Sequence, residues 1–232
     1  MTVRGIFRSA VTVSALLACA GCQGSADRDY PHGCTHRHRT EREWREYQAR
    51  LESPKRATWQ KRERVIAALK LRPGERVADI GAGTGYFTIP IAGAVGPTGR
   101  VYAVDVARQM IAYVTQRAHR EGLEQVIPIL ATPDNPTLPD AGVDTILIVN
   151  TYHHLQDREA YLQLLDEALA PGGRIVNIDY RPTDEPDPLG GPPQAMRVPH
   201  EQVDAEMAEA GFFPAAIHDF LPRQYFIEYR RR

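Results

Sequence analysis

The segment Val77–Thr88, VADIGAGTGYFT, ends a short apolar run in Asp79 and follows it with Gly81, Gly83 and Gly85. Glycines at every second position let a backbone turn sharply and pass close to a ligand that side chains would hold off. Ala82 lies inside the same turn. Asp79 restricts what the ligand can be. Loops that bind pyrophosphate space their glycines as G-x-G-x-x-G and keep carboxylates away from the anion. Here the third glycine comes one residue early and an acid stands just before the first, so the expected ligand carries positive charge. A second apolar run, Arg100–Val104, ends in Asp105 and Val106. An acid at the tip of the second strand, about twenty residues beyond the glycines, accepts hydrogen bonds from ribose hydroxyls in nucleotide-binding folds. Asp105 is also placed to cap a helix starting near Ala107, and the two roles are compatible.

A second reactive group is Asn150-Thr151-Tyr152-His153-His154, directly after a run of strand-forming residues. An imidazole exchanges protons near neutral pH, so His153 or His154 is a candidate general base, as is Tyr152 if its pKa were lowered. The alternative for the histidines is that one caps the next helix or packs inward.

The elements that would carry these groups alternate. Strands are expected over Arg76–Ile80, Arg100–Asp105, Val126–Ala131, Val143–Asn150 and Arg174–Asp179, with helices over Tyr86–Ala94, Ala107–Glu121 and Arg158–Ala170. Such alternation builds a parallel sheet with helices on both faces. The unbroken apolar run Thr145–Val149 suits a strand buried on both sides. After a helix over Pro199–Ala210, strands at Ala215–Phe220 and Tyr225–Tyr229 are joined by too few residues for a helical crossover and must pair antiparallel. Upstream, Trp44 and Tyr47 give Glu41–Arg50 one aromatic edge, and Pro54–Leu71 reads as one helical stretch stopped by Pro73-Gly74.

The loop Asp79–Gly85 resembles the cofactor loop of the class I S-adenosylmethionine-dependent methyltransferases, whose ligand has an ammonium and a sulfonium. A Rossmann-like seven-stranded, mostly parallel sheet with an antiparallel last strand is also that class's architecture. The segments Tyr152-His153-His154, Ala170–Arg174 and Phe220–Tyr225 resemble bacterial methyltransferase-domain proteins, and the likeness runs from about Trp59 to Tyr229. It implies S-adenosylmethionine as cofactor, with Asp79, Gly81, Ala82, Gly83, Gly85, Asp105, Val106 and Asn150 around it. The class often places an acid after the third strand for the adenine amino group; here Ala131-Thr132 stands at that place, and Asp134 either serves two residues later or opens the turn before Pro136. The group Tyr152–His154 falls where an acceptor would meet the sulfonium. Methyl transfer needs mainly alignment, and a base only when the acceptor loses a proton. Arsenite is set aside as acceptor because one cysteine outside the amino-terminal segment cannot hold arsenic. The Pro- and Gly-rich run from Asp179 to Pro193 is expected to be a lid over the acceptor pocket, lined by Asp179, Tyr180 and Arg181, or a plain exposed loop.

The 232 residues are 43% hydrophobic and 25% charged with net charge -1, which suits one globular domain and argues against broad nucleic-acid binding. Arg4 and Arg8 precede an apolar run over Ala10–Gly21 that is too short to span a bilayer but suits a signal peptide. Leu16–Cys19 and Cys19–Cys22 both resemble a bacterial lipoprotein cleavage box. The expected organisation is a signal over 1–22, a polar tether over 23–40 and the catalytic domain over 41–232, with a lipid anchor at Cys19 or Cys22 as the membrane contact and the cell envelope as location. Cytoplasmic residence is the alternative, with the amino-terminal extension a misplaced start. His32, Cys34, His36 and His38 offer metal-binding atoms, but no second ligand cluster accompanies them and a basic linker is the default. An exported protein would lie away from cytosolic S-adenosylmethionine, which motivates a second function class, a lipid-anchored binding protein that performs no chemistry. A nicotinamide-dependent oxidoreductase is disfavoured by Asp79 and the early third glycine.

Overall fold

The computed structural model describes residues 40–183 and 191–232, all within the unit Cys34–Arg232. The signal expected over 1–22 and all of the tether expected over 23–40 except Thr40, with the Cys19, Cys22 and His32–His38 groups, lie outside the described residues, as does the 184–190 part of the expected lid. Seven strands form one sheet in the order β3-β2-β1-β4-β5-β7-β6. They are β1 (Arg76–Ile80), β2 (Arg100–Asp105), β3 (Val126–Leu130), β4 (Val143–Val149), β5 (Leu169–Tyr180), β6 (Phe212–His218) and β7 (Gln224–Arg231). The first five pair parallel, and β7 runs antiparallel to both β5 and β6. The chain winds outward from β1 through β2 to β3, then returns to place β4 against the other side of β1. The strand order therefore reverses between β1 and β4, and the crevice at their carboxyl ends is where open α/β sheets take ligands.

Side chains alternate across the strands, so each strand feeds two cores. Ile146 and Ile148 of β4 face a cluster containing Leu162 and Leu165 of α6 (Arg158–Ala168) and Val203 and Met207 of α7 (His200–Glu209). Leu147 and Val149 face the opposite cluster, built from α3 (Arg62–Leu69), α4 (Thr88–Val95) and α5 (Arg108–Arg120) through Leu69, Ile91 and Val114. Burial on both sides explains why Thr145–Val149 reads as one apolar run. Truncating one of these fully buried leucines or isoleucines to Ala costs about 2 to 5 kcal/mol.

The expected Pro54–Leu71 helix is two helices, α2 (Pro54–Gln60) and α3, broken at Lys61 with φ 46°. One straight rod could not do both jobs: Trp59 reaches Tyr180 at the carboxyl end of β5, while Val65 and Leu69 pack on a sheet face. Lys61 Nζ donates to the Phe220 carbonyl at 2.8 Å and holds the bend. β5 begins at Leu169 rather than Arg174, because a bulge between Val143 and Thr145 lets Leu169 pair with Val143 and draws Ala170–Gly173 into the strand. β6 begins at Phe212 directly after Gly211, and α4 begins at Thr88, two residues later than its apolar pattern suggests. A capping box between Thr40 and Glu43 starts α1 (Glu41–Leu51). Trp44 of α1 is buried against Ala107 and Met110, the contact its aromatic edge foreshadows.

Candidate active site

The glycine loop crosses the carboxyl end of β1 with its first two N–H groups, Gly81 and Ala82, donating to the Val104 carbonyl of β2. A Cβ at Gly81, where φ is 75°, would overlap the side chain of Thr151 just beyond β4, so only glycine lets the two strand tips close up. The Thr84 hydroxyl donates to Glu52 at the end of α1, and Arg117 of α5 reaches Glu52 at 2.9 Å and the Thr84 carbonyl at 3.2 Å. The segment joining α1 to α2 is thereby fastened over the loop.

Beneath the loop Asp79 is buried, with the Thr88 hydroxyl donating to its Oδ2 at 2.6 Å. Burial pushes its carboxyl up to about 6, against the opposing pull of that hydrogen bond and of the Arg56 guanidinium. A buried carboxylate with so little hydrogen bonding calls for a cation. Asp105 is half-buried at the tip of β2: Oδ2 accepts from Gly83 N and Oδ1 from Ala107 N, each at 2.8 Å. It ties the glycine loop to the entry of α5. Val106 is 39% exposed and Leu130 38%, an apolar pair at the neighbouring tips of β2 and β3. Ala131 is buried, and Asp134 is exposed in a tight turn where Thr132 and Asn135 exchange backbone hydrogen bonds.

After β4, Asn150 has φ 54° and its amide oxygen accepts from buried Gln224 of β7. Tyr152, His153 and His154 form one turn of 3-10 helix. That turn sends the Tyr152 ring into a core and leaves the two imidazoles beside each other, which separates their roles. Tyr152 is fully buried in the α6–α7 core, where its hydroxyl donates to Glu206 at 2.6 Å. Burial, reinforced by that bond, raises its phenol well above the ordinary value, the opposite of what a base requires. The expectation of Tyr152 as a base is therefore corrected to a core residue. His153 places Nδ1 at 2.8 Å from Oδ1 and 2.9 Å from Oδ2 of Asp179, with both side chains 3% exposed. His154 is exposed, and its ring packs against that of His153 at a tilt of 54° with centroids 4.0 Å apart. Neither histidine caps α6; the Asp157 side chain does, accepting from Ala160 N.

Tyr180, next to Asp179, lies 5.7 Å from Trp59 between ring centroids, and the Arg223 and Arg197 guanidinium groups approach its ring at 5.7 and 5.3 Å. Arg181 N donates to the Arg223 carbonyl and Arg197 to the Arg181 carbonyl, so the described ends of the long segment after β5 are held to the start of β7. Arg56, Glu52 and Thr88 are site residues that the sequence reading missed. Glu52 and Arg56 lie more than a strand-length upstream of the loop, and only the folding back of α1 and α2 shows their proximity.

Residues 77–173 match the methyltransferase domain family model. The ubiquinone/menaquinone biosynthesis C-methyltransferase UbiE of Burkholderia cenocepacia (strain HI2424) is 31% identical over 117 residues, 50% of this chain and 47% of that protein. The chain thus spans about half the length of the curated relatives it matches. The crystal structure of a SAM-dependent methyltransferase from Aquifex aeolicus superposes with a TM-score of 0.73 at 24% identity, covering 79% of this chain and 96% of that one. Magnesium protoporphyrin IX methyltransferase from Synechocystis PCC 6803, with bound SAM, gives 0.57 at 19% identity over 75% and 80%. The residues present fit that cofactor: a loop with no side chains at its closest approach, a buried acid to meet an ammonium, a carboxylate at the second strand tip and apolar neighbours beside it. Residues 77–173 thus match a methyltransferase domain, the chain has the Rossmann-like fold of these S-adenosylmethionine-dependent enzymes, and its crevice suits S-adenosylmethionine.

Proposed function

We propose that this protein transfers the methyl group of S-adenosylmethionine to a small-molecule acceptor whose nucleophile loses its proton to His153. The observation that carries the proposal is the clasp of Asp179 on His153 Nδ1 at 2.8 and 2.9 Å. A carboxylate on Nδ1 takes that nitrogen's proton as a hydrogen bond and fixes the tautomer in which Nε2 is the bare, basic atom. When bound, the cofactor supplies a methyl group on positively charged sulfur. The glycine loop and Asp105 hold and orient it, and the α1–α2 segment fastened over the loop excludes water. His153 Nε2 accepts the proton of an O–H or N–H on the acceptor, and Asp179 stabilises the imidazolium that forms. The related quinone-biosynthesis enzyme is named a C-methyltransferase; a ring carbon made nucleophilic by loss of a phenolic proton needs the same base. Near-zero net charge supports a small molecule over nucleic acid.

Methyl-labelled cofactor incubated with the small-molecule fraction of a cell extract tests the reading. Label should pass to an acceptor with the native enzyme and about 10² to 10⁴-fold more slowly with His153→Ala. No transfer in any fraction by a protein that binds the cofactor overturns the reading in favour of a binding protein without chemistry.

Export with lipid attachment at Cys19 or Cys22 is a separate proposal. Its support is the order of charges, apolar run and small residues over 4–22. Among the described residues no helix is long and apolar enough to cross a membrane.

A further inference from the structure

The cofactor's amino-acid end is a zwitterion, and one acid beneath the glycine loop answers only half of it. A cation beside it lies outside the span that the family model matches. Arg56 of α2 is half-buried, and its guanidinium lies 3.9 Å above the ring of Tyr86, the residue directly after Gly85. It is also within electrostatic reach of Asp79. Its Nε donates to Gln60 and one Nη1 proton to the Leu51 carbonyl at 2.9 Å. These bonds and the stacking fix the plane of the group while committing two of its five donors. Among the described residues no carboxylate comes within ion-pair distance of it; Glu52 and Asp79 act on it only from farther away, alongside the hydroxyls of Tyr86 and Tyr180.

A guanidinium taken this far out of water without a contacting anion is costly to the free protein. Its fork geometry matches a carboxylate bidentately. We propose that Arg56 recognises the carboxylate of the cofactor's amino acid while Asp79 takes the ammonium, so that the two side chains together read the zwitterion. The consequence is selectivity for ligands that keep the intact amino acid. The proposal rests on the assignment of this crevice to S-adenosylmethionine. It gives α2 a function beyond covering the loop.

Calorimetry on the full chain, with S-adenosylmethionine and with its decarboxylated form, which keeps the amine, separates the possibilities. The native protein should bind the intact cofactor about 10- to 100-fold more tightly than the decarboxylated one. Arg56→Gln should lose about that factor for the intact cofactor and keep native affinity for the decarboxylated form. Arg56→Lys, which keeps the charge without the fork, should fall between. Thermal unfolding of each variant in the absence of ligand checks that the fold is retained. Equal losses on both ligands, or no loss on either, overturn the role of Arg56 and leave the cofactor assignment standing. Failure of the native protein to bind either ligand overturns the cofactor assignment itself and this proposal with it.

Discussion

His153 Nδ1 meets both carboxylate oxygens of Asp179, and the same carboxylate also accepts from the backbone N–H groups of His153 and Tyr180. Asp179 is thus held by its own strand and by the turn after neighbouring β4, and it in turn fixes the ring. Asp179→Asn should keep the shape but present an amide that can donate to Nδ1, which turns the tautomer so that Nε2 carries the proton. Methyl transfer should then fall by about 10² to 10⁴-fold with little change in cofactor affinity. Tyr152→Phe should leave the chemical step intact and cost about 1 to 3 kcal/mol of stability, because it strips a buried hydrogen bond from Glu206. Single-turnover rates beside denaturant unfolding separate the two effects. An Asp179→Asn enzyme with native rates would reduce the dyad to a structural contact.

Asp79 ties stability and cofactor binding to pH in opposite senses. Its folded-state pKa is raised from 3.8 to about 6, so the native state holds the proton more tightly than the unfolded chain. The associated stability is fully present below pH 3.8 and is lost as pH rises through about 6. At neutral pH the ionised carboxylate therefore costs the free protein roughly 3 kcal/mol. Asp79→Asn should raise the melting temperature of the ligand-free protein at pH 7 to 8 and remove that pH dependence. The cofactor's ammonium favours the ionised acid, so affinity should fall as pH drops below about 6 and be level from there to about pH 7, where the ammonium is still charged, with proton release on binding below that window. A melting temperature lowered by Asp79→Asn at pH 8, or binding indifferent to pH between 4 and 7, would contradict this account.

The glycine loop, Asp79, Asp105 and the alternation of strands and helices were legible in the sequence because each depends on residues close in the chain. β1 and β2 fall on the residues expected from their apolar runs. What the sequence hid depends on distant packing. The break at Lys61 arises because α2 serves the carboxyl ends of the strands and α3 a sheet face, a division no periodicity reports. Tyr152 and His153 are adjacent, yet a 3-10 turn sends one into a core and the other toward Asp179, so residue type alone could not distinguish core from site. Asp179 stood out only at the end of the expected fifth strand, as a lining residue of the lid, and its pairing with His153 depends on β4 and β5 lying side by side.

The amino-terminal proposal is decided by the mass of the native protein's first residue. Cleavage before Cys19 or Cys22, lipid on the new terminal cysteine and recovery with membranes are the expected results. Stable anchoring requires more than one acyl chain, so the lipid mass should correspond to several. An intact Met1, or a soluble protein starting near Thr40, would refute export and place the enzyme where its cofactor is made.

Asp105 joins two functions whose separation is measurable. Its carboxylate accepts from Gly83 N and from Ala107 N, and the proposed function gives it the cofactor's ribose hydroxyls as well. Asp105→Ala removes all of these at once. Loss of the charge-assisted bonds to ribose should weaken S-adenosylmethionine by about 1.5 to 3 kcal/mol. Loss of the tie to Ala107 should lower stability by about 0.5 to 2 kcal/mol, the range for a helix cap. A cofactor analogue lacking ribose hydroxyls isolates the first effect: it should bind the native protein weakly and lose little further on Asp105→Ala. NAD, whose pyrophosphate would face Asp79, should bind the native protein much more weakly than S-adenosylmethionine does. Calorimetry with the three ligands, together with thermal unfolding of the variant, gives both numbers. If Asp105→Ala melts earlier yet binds S-adenosylmethionine with native affinity, the residue caps α5 and orders the loop without touching ribose.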